Sequence, residues 1–376
     1  MPIYLDYQAT TPIDPRVRRA MLPYLEEKFG NPHSDGHVFG WEASDAVKSA
    51  RAKVAELINA DDDEVVFTSG ATESCNLAIR GLVKADTESR NRIVTVATEH
   101  PAVLETVKDL QRSRFDTVIL PVERDGLVNL SVLKDALDDK TLIVSVMAAN
   151  NEIGVIQPIE KIAEICHSVG AIFHTDATQA VGRIDVDVEN WGVDLLSMSA
   201  HKVYGPKGIG ALYIRSGVKV DPIITGGMQE FGLRSGTVPT ALVVGFGEAC
   251  ELANYEFAND ARRIDSLTKQ LYCCLEKRFP NLQLFGHTEK RIAGNLNVGL
   301  LGLSAQYIVK KVSNRIAIST GSACSSAIYE PSRVLIALGY SREVAETGIR
   351  ISLGRFTTSQ EIETASVVLS ELNDTV

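Results

Sequence analysis

A lysine amine becomes reactive when the chain delivers it to a cleft, and the setting of Lys202 does this. It follows the apolar run Val193-Asp194-Leu195-Leu196-Ser197-Met198-Ser199 and precedes Gly205-Pro206, so it stands just past a strand that should be central. In open α/β sheets ligands bind beyond the carboxyl ends of the strands, where a lysine can meet a carbonyl cofactor and form a Schiff base. The other reading is a solvated surface lysine, and Lys207 in the same segment is the comparison.

Other residues have complementary chemistry. Thr68-Ser69-Gly70-Ala71-Thr72-Glu73-Ser74 joins a strand to a helix through small residues, which either cradles a phosphate on backbone N–H groups or is an ordinary capped helix start. Asp176 follows the strand Ala171-Ile172-Phe173-His174-Thr175; it can hold a pyridine nitrogen protonated or simply cap a helix, and Gln179 can reach a phenolic oxygen. His100, in Thr98-Glu99-His100-Pro101, also lies between strand and helix, where an imidazole can stack on a ring and move protons. Cys324 lies in Ser319-Thr320-Gly321-Ser322-Ala323-Cys324-Ser325-Ser326, a small-residue stretch that predicts a mobile, exposed loop and an accessible thiol. Arg350 suits a bidentate grip on a carboxylate, or a surface ion pair.

Short β-rich runs near residues 65, 92, 117, 142, 171, 193 and 209 alternate with helical stretches, which predicts a mostly parallel sheet covered on both faces. Beyond Gly236 the pattern changes to a long helix near 238 to 279, strands near 295 and 350, a helix near Val334 and a terminal helix from Ser359. We expect a large α/β domain over 16–239 and a small α+β domain formed by 1–15 with 240–376. The 376 residues are 45% hydrophobic, enough for a large core, and 48 acidic against 38 basic residues give a net charge of −10. That balance argues against direct nucleic-acid binding or an anionic membrane partner. No signal-like or membrane-spanning run is visible, so a cytoplasmic protein is expected. The six cysteines show no C-x-x-C pair, and Cys273 and Cys274 are expected to behave as small hydrophobes within a helix. His33 and His37 fall in a glycine-bearing loop, not a metal-binding helix pair, and His167 and His287 are expected to be structural.

Taken together these segments resemble the cysteine desulfurases of the class V aminotransferase group, over nearly the whole chain. The resemblance rests on Leu5-Asp6-Tyr7-Gln8-Ala9-Thr10-Thr11-Pro12, Gly30-Asn31-Pro32, residues 69–76, Thr98-Glu99-His100, Asn150-Asn151-Glu152-Ile153-Gly154, Asp176-Ala177-Thr178-Gln179, Ser199-Ala200-His201-Lys202, Arg234-Ser235-Gly236-Thr237, Gly321-Ser322-Ala323-Cys324 and Arg350 to Phe356, in family order. It implies the fold type I of enzymes dependent on pyridoxal 5'-phosphate (PLP), with a seven-stranded sheet. It also implies that Lys202 binds the cofactor carbonyl, His100 stacks on its ring, Asp176 holds its nitrogen and Gln179 its phenolic oxygen. Ala71, Thr72, Ser199 and His201 would hold the phosphate, with Thr237 supplied by the partner subunit of a homodimer, and Asn151 with Arg350 would fix the substrate carboxylate.

The implied reaction is a sulfurtransferase one: L-cysteine becomes L-alanine, and its sulfur is left as a persulfide on Cys324 for a sulfur-acceptor protein. Cys75 stands where the family usually has Asp or Asn, and Gly226-Gly227-Met228-Gln229-Glu230 departs from the usual third glycine. The sequence ends at Val376, where iron-sulfur desulfurases continue into a scaffold-docking tail, leaving iron-sulfur assembly, tRNA thiolation and DNA phosphorothioate modification as pathways. Competing expectations are another class V enzyme, such as an aminotransferase or selenocysteine lyase, and a catalytically silent scaffold subunit.

Overall fold

The computed structural model describes residues 2–86, 90–113, 115–320 and 330–372. Its strands are β1 (Ile3–Tyr4), β2 (Val65–Thr68), β3 (Arg92–Val96), β4 (Asp116–Leu120), β5 (Thr141–Ser145), β6 (Ile172–Asp176), β7 (Leu195–Ser199), β8 (Gly210–Ile214), β9 (Leu282–Leu284), β10 (Asn295–Leu300), β11 (Ile316–Ala317) and β12 (Gly348–Ser352). The helices are α1 (Pro15–Glu26), α2 (Val38–Leu57), α3 (Ala71–Ala85), α4 (Pro101–Arg112), α5 (Leu130–Ala136), α6 (Ile159–His167), α7 (Val188–Trp191), α8 (Thr240–Arg278), α9 (Ala305–Val312), α10 (Arg333–Ala337), α11 (Arg342–Ala345) and α12 (Ser359–Ser370).

Seven strands form the central sheet in the order β2-β8-β7-β6-β5-β3-β4. Only β8 runs against its neighbours, β7 and β2. Strands β5, β7 and β8 are buried at every residue, which is why their sequences read as continuous apolar and small-residue runs without alternation. Because β2, β3, β5, β6 and β7 share one direction, the segments that follow them emerge along one edge of the sheet. Residues 69–72, His100, Asn151, Asp176 and Lys202 are all in such segments, so topology alone places them on the same side of the molecule.

Smaller sheets complete the fold: β12-β10-β9, antiparallel, and the two-residue pair β1-β11. An apolar cluster gathers Leu5 with Ile264, Leu271, Leu296, Ile351, Ile362 and their neighbours, apart from the cluster around the central sheet. The 39-residue helix α8 contributes to both, through Val243, Phe246 and Ala249 in its first half and Ile264, Leu267 and Leu271 in its second. Cys273 and Cys274, expected to pack as small hydrophobes, are exposed on α8 instead. The buried stripe at that end passes through Leu271 and Leu275, and adjacent helical positions cannot share it.

Candidate active site

Lys202 ends a 3-10 turn (Ala200–Lys202) that leaves β7. Its Nζ donates to the carbonyls of Gln8 (2.6 Å) and Ala9 (2.7 Å), on the turn over residues 7–9 that follows β1. Burial, then the nearby cations of Arg183 and Arg350, lower its pKa to about 7, against the partial opposition of Asp176 and Asp6. Lys207, the comparison residue, is exposed. The turn is fixed on both sides. The Thr11 N–H and hydroxyl each donate to the His201 carbonyl at 3.0 Å, and the Tyr204 N–H donates to Thr11 Oγ1 at 2.9 Å.

Asp176 ends β6, one strand over, buried, with Oδ1 accepting the Thr178 N–H at 3.0 Å. Gln179 is buried beside it; its Nε2 donates to the Gln8 carbonyl at 3.0 Å, while its Oε1 has no partner among the described residues. His100 caps α4 by accepting the Ala102 N–H on Nδ1 at 3.1 Å, with Pro101 at the first helical position. His100 is exposed as a residue, yet desolvation of its imidazole lowers the pKa; because Nδ1 accepts, the neutral ring carries its proton on Nε2.

At the N-terminus of α3 the cap is Gly70, with φ 147° and no side-chain capping bond. The position a Cβ would take there lies 3.7 Å from Ser199 Oγ, so the missing side chain leaves a small cradle between Ser199 and the first turn holding Ala71 and Thr72. Glu73 stays out of the cradle: it accepts from the Ser69 N–H at 2.8 Å and from Arg234 at 2.8 Å. His201 completes this corner, Nδ1 hydrogen-bonded to Thr10 Oγ1 at 3.0 Å, its pKa lowered to about 4 by burial and by Lys202. A small-residue helix start, an unpartnered buried amide oxygen, a buried carboxylate and a lysine amine form a donor set that fits PLP.

Arg350, on β12, is buried and closes the opposite wall. Its Nη1 donates to the Asn151 carbonyl at 2.8 Å and its Nη2 to Asp6 Oδ1 at 2.8 Å, and its Nε has no partner among the described residues. Thr237 is exposed on the loop that Arg234 ties to Glu73. Cys324 lies outside the described residues. Sequence reasoning passed over several residues here. Asp6 and Gln8 were read only as part of a motif. Arg183, which donates to the Tyr7 carbonyl at 3.0 Å, could have been found four residues beyond Gln179. Glu99 is wholly buried next to His100, accepts from the Met147 N–H, and has its pKa pushed well above the carboxylate range by burial and then by Asp176.

The aminotransferase class-V family model matches residues 3–364. The cysteine desulfurases IscS of Rickettsia massiliae and Rickettsia typhi are each 49% identical to this chain over 97% of its length and 89% of theirs. Among solved structures, a NifS-like protein superposes with a TM-score of 0.94 at 35% identity, covering 100% of both chains. SspA in complex with cysteine superposes with a TM-score of 0.83 at 36% identity, covering 95% of this chain and 100% of that one. Among the described residues no helix is long and apolar enough to cross a membrane. The chain belongs to the class V aminotransferase family, in its cysteine desulfurase branch, and PLP is its cofactor.

Proposed function

We propose that this enzyme takes sulfur from L-cysteine, leaves it as a persulfide on Cys324 and releases L-alanine, the sulfur then passing to an acceptor protein. The observation that carries this reading is a half-buried lysine amine at the end of β7, held on the Gln8 and Ala9 carbonyls, whose pKa is lowered to about 7 by its surroundings, Arg350 among them. At neutral pH a large share of that amine is neutral and able to accept a proton. Bound PLP supplies the electron sink for the pair left when a Cα proton departs.

The protein does the rest. Ala71, Thr72, Ser199 and His201 would hold the phosphate, Asp176 would keep the ring nitrogen protonated, Gln179 would bond the phenolic oxygen and His100 would stack on the ring. Arg350 and Asn151 take the substrate carboxylate, which turns the Cα–H bond toward Lys202 Nζ. The Cys324 thiolate then attacks the substrate sulfur: an S–S bond forms as the C–S bond breaks, and the electron pair of that bond stays with the substrate, which is later protonated and leaves as alanine. Each alanine released therefore matches one persulfide.

The oligomer in this reading is a homodimer, with Thr237 reaching the phosphate of the partner subunit; its exposure on a loop tied to Glu73 supports this. A cytoplasmic location is supported by the five free cysteines of the described chain, which suit a reducing compartment. The acidic net charge favours a protein acceptor over nucleic acid.

The decisive test is Cys324→Ala. Alanine formation from L-cysteine is expected to be lost while the visible absorption of the bound cofactor stays. Undiminished alanine release would overturn the persulfide route. Light scattering checks the assembly, and a monomer at assay concentration would contradict the shared site.

A further inference from the structure

We infer that Asp6 is the positioning residue for substrate recognition: it fixes the Arg350 guanidinium so that its remaining N–H groups face the α-carboxylate of the amino acid. The inference rests on the proposed role of Arg350 as the carboxylate ligand. A guanidinium carries five N–H donors in a rigid plane, and a buried one must find acceptors for them. Arg350 is 5% exposed, and two acceptors hold its terminal nitrogens, Asp6 Oδ1 on Nη2 and the Asn151 carbonyl on Nη1, each at 2.8 Å. Fixing both ends fixes the plane. The Nε–H is buried and has no partner among the described residues. Nη1 and Nη2 each keep a second N–H, from which an α-carboxylate can accept.

Asp6 suits this task because its backbone is locked to the strand that carries Arg350. It forms a β-bridge with Ser352, two residues from Arg350. The Ser352 N–H donates to the Leu5 carbonyl at 2.8 Å and the Tyr7 N–H to the Ser352 carbonyl at 3.2 Å, so the residues on either side of Asp6 are both tied to Ser352. The Tyr4 hydroxyl shares its one proton between the Asp6 carbonyl (3.0 Å) and the nearer Thr10 carbonyl (2.8 Å), closing the segment on itself. Two and three residues beyond Asp6, the carbonyls of Gln8 and Ala9 accept from Lys202 Nζ. One short stretch of chain thus sets the spacing between the group that grips the carboxylate and the amine that takes the Cα proton.

The test is a spectral titration of the holoenzyme with two amines, L-alanine and ethylamine, which lacks the carboxylate. In Asp6→Ala, L-alanine should bind roughly 10- to 100-fold more weakly, the range for loss of a charged hydrogen bond, while ethylamine changes less than about twofold. Asp6→Asn, which keeps the shape, should fall between, and Asp6→Glu should recover part of the loss. In turnover, Asp6→Asn should raise KM for L-cysteine with kcat nearly kept. Equal weakening of both amines, or of neither, overturns the inference. Arg350→Ala separates the two layers: if it discriminates against L-alanine and Asp6→Ala does not, the role of Asp6 is wrong; if neither discriminates, the role of Arg350 is wrong too.

Discussion

The ion pair between Arg51 and Glu230 gives the most demanding prediction. Glu230 is 5% exposed, and its carboxylate accepts three N–H donors: Arg51 Nη1 at 2.8 Å, Arg51 Nη2 at 2.7 Å and the Phe67 backbone at 2.7 Å. The guanidinium lies 4.7 Å from the Phe67 ring and 5.1 Å from the Phe231 ring, and donates also to the Val65 carbonyl. Glu230→Ala leaves this cation with one carbonyl and two ring faces, and orphans the Phe67 N–H. Breaking a buried pair from one side costs about 3–5 kcal/mol. Glu230 and Phe231 both have left-handed backbones, φ 49° and 58°, but alanine keeps the Cβ that makes this conformation costly, so the substitution returns none of that cost. At the lower end of that range the loss is about 3 kcal/mol. For 376 residues unfolding together, with an entropy near 2.1 cal/mol/K per residue, that lowers Tm by about 4 °C. Thermal unfolding of the holoenzyme at one scan rate, followed by circular dichroism, measures it. The double variant Arg51→Met, Glu230→Leu should recover at least half the loss, since it leaves no lone buried charge. A shift under about 1 °C for Glu230→Ala, or a double variant as unstable as the sum of its singles, would refute the reasoning.

Two further outcomes follow from the same geometry. In cofactor-free protein, the reaction of Lys202 with an aldehyde probe should rise through pH 7 and level off above about pH 8, whereas an ordinary lysine keeps rising to about 10.4. The depressed pKa also means that the folded chain releases this proton before the unfolded chain does. Compared with Lys202→Met, cofactor-free protein should therefore gain urea resistance between pH 7 and 9, a difference that cancels the opposite slope of the buried Glu99 carboxyl; equal slopes in the two proteins would contradict the shift. Gly210→Ala would set a Cβ 2.5 Å from the Met198 carbonyl oxygen and 2.7 Å from Gly70 Cα, displacing the cap of α3. We expect retention of PLP through gel filtration to drop about tenfold, a cost near 1.4 kcal/mol, and full retention would show that the cradle tolerates the push.

The legible parts of this protein were those with a local signature. Seven apolar runs became seven strands because strands buried on both faces leave no polar alternation to misread. Lys202 stood out from Lys207 through the strand before it and the Gly205-Pro206 turn after it, and Asp176, His100 and the 69–72 segment were found by the same strand-end logic. Three short strands, β1, β9 and β11, escaped because two or three residues carry no period. The partnership of Asp6 with Arg350 spans 344 residues, so no spacing rule could propose it. Glu99 was missed for a different reason: a carboxylate beside a histidine reads as surface, and only the packed fold shows it wholly buried.

Helix α8 has a consequence in terms of phase. At 1.5 Å per residue its 39 residues reach about 58 Å without a break, and its two halves supply different apolar clusters. Inserting one residue near its middle would advance the second half by 1.5 Å and turn it by about 100°, taking Ile264, Leu267 and Leu271 off the stripe they now occupy. The helix therefore works as a gauge: its residue count sets the angle at which the cluster containing Ile351, next to Arg350, meets the sheet that presents Lys202. Insertions should be tolerated in the surface turns of this protein and excluded from the middle of α8.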